Sequence, residues 1–133
     1  MSNKFKHLIL VSFVGMWCFF NAHAQSTEIT FNVNLKPQLV DSTFIPARDN
    51  IKIIGDLYPI NTPNPYYLRD EEPIDSIYSI TIRFSPRFRN YMLNYNFEMM
   101  INFIKEEEAM PRAIQLQNRE VKLDPIYFNA YAW

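Results

Sequence analysis

Beyond residue 24 this sequence has no histidine, no cysteine and a single glycine, Gly55. Without imidazole it lacks the usual general base near neutral pH. Without a thiol it has no cysteine nucleophile and no disulfide to staple a small domain. Together the two absences exclude a Ser-His-Asp triad and a His/Cys zinc site. The expectation is a protein that is not an enzyme and that carries no cofactor and no metal. Scarce glycine leaves the nine prolines, all beyond residue 24, as the main turn markers. Abundant Tyr and Phe, with short bursts of Ile and Val, favour strands over helices.

The first 24 residues read as a secretory leader. Lys4 and Lys6 are basic, an apolar run follows from Leu8 to Phe20, and Ala22-His23-Ala24 is a small-residue cleavage site. The run is shorter than the about 20 residues a spanning helix needs. Bulky Met16 and Trp17 before Cys18 suit a lipid-modification box poorly. Cleavage would remove His7, Cys18 and His23. It would leave 109 residues (133 less 24), enough for one domain and too few for two. Thirteen basic residues less Lys4 and Lys6, against fourteen acidic ones, give that segment a charge of −3. Its basic residues are scattered, so nucleic acid is not an expected partner. The expected location is secreted or periplasmic, with no membrane association after cleavage.

Six or seven short segments carry strand signals. Ile29, Phe31, Val33 and Leu35 alternate with polar neighbours, a half-buried strand by period. Lys36 to Asn50 reads as a loop, with a short strand near Leu39 as an option. Ile51 to Gly55 is apolar enough for a central strand. Asp56 to Glu72 is the longest irregular stretch. Tyr78, Ile80, Ile82 and Phe84 face one way along Ile77–Phe84. After a turn at Pro86, Tyr91 to Met99 alternates as the hairpin partner of that strand. A helix over Tyr91–Met110 is the alternative, though the period is nearer 2 than 3.6. Glu106-Glu107-Glu108 reads as a solvated tip. Arg112–Gln117 and Glu120–Leu123 look like a hairpin across Asn118-Arg119. Ile126–Phe128 is an edge piece behind Pro125. Strands at this spacing predict an all-β fold, an antiparallel immunoglobulin-like β-sandwich of about seven strands over residues 25–133.

Taken in order, these segments resemble the starch-binding module of secreted amylolytic enzymes. The first strand is similar at Thr30-Phe31-Asn32-Val33. A "V-x-V-x-G" strand is similar to Ile51-Lys52-Ile53-Ile54-Gly55. A leucine before an acidic stretch is met at Leu68-Arg69-Asp70, and a "W-x-x-x-V" strand at Tyr78-Ser79-Ile80-Thr81-Ile82. An "F-E-Y-K-F" strand is similar to Leu93-Asn94-Tyr95-Asn96-Phe97. An acidic residue followed shortly by arginine is similar to Glu108 and Arg112. The close, "F-N-D-x-W", is similar to Phe128-Asn129-Ala130-Tyr131-Ala132-Trp133. The resemblance implies a β-sandwich that binds α-glucan without catalysis. The family's main sugar site uses two tryptophans and a lysine. Here the loop after Gly55 has no tryptophan, only glutamates stand near Glu108 where the second tryptophan would precede the acidic residue, and Asn96 stands where the lysine would be.

The best local candidate is the proline-rich loop, with Tyr58, Tyr66 and Tyr67 among Pro59, Pro63 and Pro65. Prolines restrict a loop, so its aromatics are pre-positioned. Tyrosine stacks on a sugar and still donates a hydrogen bond. The plainer reading is that these rings cover one end of the core. Asn96 completes the candidate ligand-binding set with Tyr58, Tyr66 and Tyr67. Trp133, at the chain end, is a weak foundation for a site. Asp70, Glu71, Glu72 and Asp75 cluster in one loop, as paired glycosidase acids or calcium ligands do, but solvated turns explain them and the spacing of a dedicated calcium loop is absent. Arg83, Arg87 and Arg89 flank a turn and would suit an acidic partner. Two functions follow: a carbohydrate-binding module with a polysaccharide partner, or a protein-interaction domain on the same fold, including a detached N-terminal module of a secreted hydrolase. They differ in whether Tyr66 and Tyr67 lie exposed side by side.

Overall fold

The computed structural model describes residues 25–131; the expected leader over 1–24, with His7, Cys18 and His23, and Trp133 lie outside the described residues. Among these residues no helix is long and apolar enough to cross a membrane. The chain is nearly all-β. Its elements in order are β1 (Thr27–Asn34), α1 (Lys36–Val40), β2 (Asn50–Gly55), β3 (Tyr66–Leu68), β4 (Ile77–Phe84) and β5 (Met92–Ile101). Then come β6 (Ile104–Glu107), β7 (Arg112–Gln115), β8 (Glu120–Lys122) and β9 (Ile126–Tyr127).

Two sheets pack face to face. In the first, β1 is central, antiparallel to β4 and parallel to β8 and β9. In the second, β2 lies between β3 and β5, and the far side of β5 is shared by β6 and β7. The core follows from period-2 alternation. Ile29, Phe31 and Val33 of β1 face Leu93, Tyr95, Phe97 and Met99 of β5 across the interior, and all are buried. Each such side chain stabilises by about 1.5–3 kcal/mol relative to exposure. The rings of Phe31 and Tyr95 meet edge to face at 4.9 Å and tie the two sheets together. Gly55 ends β2 where the next loop folds back. A Cβ there would lie 2.6 Å from Ile60 Cδ1 and 3.0 Å from the Asn94 carbonyl, so glycine is what lets buried Ile60 seat against the strand.

The alternating segments are strands as expected, and the Tyr91–Met110 region is strand, not helix. Other expectations are corrected. The strand near Leu39 is a short helix, because Pro37 sits in its first turn with φ already set for it. A three-residue strand, β3, lies inside the stretch read as irregular. β4 and β5 are not a hairpin: the 3-10 turn Pro86–Phe88 carries the chain from one sheet to the other. β7 and β8 are not a hairpin either, since β7 pairs with β5 and β8 with β1. Fully buried Leu116 draws the chain through the core between them, and Asn118 N–H then bonds Thr27 Oγ1 at 2.8 Å. The strands number nine among the described residues, and two of their pairings are parallel.

The acidic run is corrected most sharply. Glu106 and Glu107 belong to β6, and the Glu108 side chain is wholly buried. Its carboxylate accepts from Arg112 Nη2 at 2.6 Å and Nε at 3.1 Å, from Phe97 N–H at 3.2 Å and from Asn129 N–H at 3.0 Å. Arg112 also donates to the Ala130 carbonyl at 2.8 Å and lies 4.7 Å over the Tyr131 ring. This pair therefore joins the second sheet to the segment that follows β9.

Candidate functional site

The four residues singled out in the sequence fall in three places. Tyr58 projects from the loop after Gly55 and is 59% exposed. That loop is pinned: the Asp56 carboxylate accepts from Asn94 N–H at 3.0 Å and Asn94 Nδ2 at 2.8 Å, and Thr62 Oγ1 donates to the Pro59 carbonyl at 2.9 Å. Tyr66 and Tyr67 are neighbours in β3, so they point to opposite faces of the sheet. Tyr66 turns inward and packs against the core; Tyr67 turns outward and is 41% exposed. The two do not form a side-by-side strip.

Asn96 lies on the outward face of β5 and donates from Nδ2 to Glu107 Oε1 at 3.0 Å. It shares that face with Tyr67, two strands or about 10 Å away. The ground between them is filled by ions. Lys52, paired opposite Tyr67, reaches Glu98 at 3.1 Å, and Lys105 reaches the same carboxylate from the other side at 3.5 Å. Glu98 is buried on an outward face because these lysine stems lie over it. Asn96 is therefore held in a charge network apart from the tyrosines.

Tyr67 is the one candidate that borders open space. Next to it β3 and β4 are joined by two backbone hydrogen bonds, Arg69 N–H to the Ser79 carbonyl at 3.1 Å and Ser79 N–H to the Arg69 carbonyl at 2.9 Å. Beyond that bridge β3 follows β2 and β4 follows β1, so the strands diverge and leave a notch. A cleft of about 500 Å³ opens there, bordered by Tyr67, Arg69, Glu71, Ser79 and Thr81. A second cleft of about 480 Å³ lies on the other side of Tyr67 and Arg69, bordered by Pro46, Asn50, Asp70, Ile74 and Tyr78.

Two carboxylates shape this region. Asp70 accepts the N–H groups of Asp75 at 3.2 Å and Ser76 at 2.9 Å, which folds the acidic loop into a wall that presents exposed Ile74. Asp49 is fully buried at the side chain and takes Arg48 Nε at 2.7 Å and Nη2 at 2.9 Å. That arginine bond holds the Asp49 carboxyl well below the usual carboxylate range; burial opposes it, and the N–H groups of Asn102 and Ile45 add to it. Among the described residues no three His, Cys, Asp or Glu side chains gather into a metal-holding group. Of the arginines expected to meet a partner, Arg83 is engaged by Glu28 and Arg87 lies 4.8 Å over Phe88.

Around Tyr67 the chemistry on offer is a flat ring, a guanidinium, a carboxylate and two hydroxyls that each already make one bond, Ser79 donating to Asn32 Oδ1 and Thr81 sharing a hydrogen bond with Thr30 Oγ1 at 2.8 Å. This set stacks and hydrogen-bonds. Sequence reasoning missed Arg69, Ser79 and Thr81, which carry no local signal of their own and come together through the β3–β4 bridge.

No family model matches the chain, and no curated protein matches it. Among solved structures, its fold is similar to that in the crystal structure of a gamma-CGTase from alkalophilic Bacillus clarkii, with a TM-score of 0.52 and 9% identity. The likeness covers 80% of this chain and 15% of that one, so this protein spans a small part of that enzyme's length. It is a likeness of fold, a β-sandwich, and does not single out a starch-binding module.

Proposed function

We propose that this protein is a secreted or periplasmic, non-catalytic carbohydrate-binding domain that takes a glucan chain across Tyr67. The observation that carries the reading is the exposed Tyr67 ring standing between two clefts, with Arg69, Ser79 and Thr81 beside it. An apolar ring flanked by a few polar groups is how sugar faces and hydroxyls are held. The residues resembling a starch-binding module and the fold shared with one part of a gamma-CGTase support the same reading. The absence of a Tyr66–Tyr67 strip counts toward the protein-interaction alternative, and the carbohydrate reading rests on Tyr67 alone, a single phenol on β3 in place of that family's paired indoles.

The test is a calorimetric titration of the protein with maltoheptaose and β-cyclodextrin. Tyr67→Ala is expected to weaken binding at least about tenfold, in line with the loss of one stacked ring. Asn96→Ala is expected to leave it unchanged. Absence of heat from a folded protein would contradict the proposal. It would move weight to a protein-interaction domain, a reading favoured by Phe103, 87% exposed at the β5–β6 turn beside exposed Ile104.

A further inference from the structure

The β5–β6 turn carries an apolar tip that the fold does not account for. Asn102 and Phe103 join the paired residues Ile101 and Ile104 as a two-residue loop, with φ of 48° and 65°. Both are left-handed, the backbone of a type I′ turn, whose second position favours glycine. A phenylalanine there costs free energy in the main chain. Its side chain recovers none by burial, since it is 87% exposed, and Ile104 beside it is 70% exposed. The turn is nonetheless held in place. Asn102 N–H donates to Asp49 Oδ1 at 2.9 Å, and Arg48 in turn grips that carboxylate. A fixed, exposed ring at a position that disfavours it is placed to meet something outside its own chain.

We propose that it meets a second copy of this protein, head to tail, at the other end of β5. There the rings of Phe88 and Tyr91 lie 5.5 Å apart, Arg87 stands 4.8 Å over Phe88, and Tyr91 and Met92 are each 53% exposed. An aromatic ring and a thioether offer Phe103 a favourable surface. The charges complement one another as well. Beside the tip, Lys105 is taken up by Glu98 and Glu107, and exposed Glu106 enters no ion pair among the described residues. Beside the far patch, Arg89 is exposed and likewise enters no ion pair among the described residues. The unpaired charge is thus acidic at the tip and basic at the far patch.

The length of β5, Met92–Ile101, sets the two patches about 30 Å apart, so one copy cannot bring its own together. A contact between unlike patches leaves one of each kind free in every pair, and a third copy can add. Each patch offers only two or so large apolar side chains, far short of the about 1,000 Å² a lasting interface needs, so the association is weak and reversible. It is independent of the glucan reading, because Tyr67 belongs to neither patch.

The experiment is small-angle scattering from the protein at about 0.05–1 mM, the range in which a weak contact fills. The average mass is expected to rise past two copies with concentration, and to fall back as salt screens the charges. Phe103→Gly separates contact from fold: Asn-Gly suits the turn better, so its urea midpoint should match or exceed wild type while its mass stays that of one copy. Arg87→Glu with Arg89→Glu, at two exposed positions, should also give one copy. Mixed together, the two variants should pair and stop at two copies, because each retains the patch the other lacks. The proposal is overturned if wild type stays a single copy throughout, or if Phe103→Gly associates as wild type does. It is overturned equally if the mixed variants stay apart, which would mean a contact between like patches.

Discussion

On the flank where β3 meets β4 the two sheets are joined by main chain, through the paired hydrogen bonds of Arg69 and Ser79. On the opposite flank no strand among the described residues pairs across, and the junction is a buried ion pair, Glu108 with Arg112, that reaches main-chain groups on both sides. Main-chain pairing tolerates most side chains, which leaves Tyr67 and Arg69 free to present outward, while the hydroxyls of Ser79 and Thr81 bond Asn32 and Thr30 on β1. A junction made of two charges tolerates almost no change, and its residues are committed to holding the fold. The flank joined by main chain is where a surface site can be built.

This contrast is open to attack by mutation. Glu108→Ala would strand the Arg112 charge in the interior, and about 3–5 kcal/mol of stability should be lost. Urea unfolding followed by tryptophan-independent far-UV signal measures it, and a loss below about 1 kcal/mol would mean the pair is not the junction. Ile60→Ala, which empties the seat over Gly55, should cost about 2–4 kcal/mol by the same assay, since a buried aliphatic side chain is deleted. Asp70→Ala on the main-chain flank should cost only about 1 kcal/mol, because the two N–H groups it releases are near solvent. Thr81→Val should lie within about 0.5 kcal/mol of wild type, as befits a surface position on a β-strand.

Asp49 adds a pH test. Its folded value lies below the ordinary carboxylate value of about 3.9. In the window beneath that value the unfolded chain takes up the proton and the folded chain does not, so stability falls as pH falls. The contribution is complete above the unfolded value and is lost on approach to the folded one. Urea midpoints between pH 6 and pH 3 should therefore drop more steeply for wild type than for Asp49→Asn.

The sequence showed β1, β4 and β5 clearly, because each buries one face and so alternates. It hid α1 and β3, which are too short for a period to emerge. It misassigned the partners of β5 and β7, because pairing across two sheets is set by distant residues such as Leu116. Glu108 looked like part of a solvated run, and only the resemblance of Glu108 and Arg112 to a family pattern pointed at the pair. The candidate site was half legible. Tyr67 was found as an aromatic near prolines, but its supposed companion Tyr66 is excluded by the strand period, a deduction that required knowing that residues 66–68 form a strand.

The measurement that tests the central claim most directly is an amide-shift NMR map of the protein titrated with maltoheptaose. The account predicts shifts at Tyr67, Arg69, Ser79 and Thr81, with Ala113, Leu123 and Ile126 unmoved. Shifts confined to the Glu108–Arg112 flank, or none at any position in a folded protein, would contradict it.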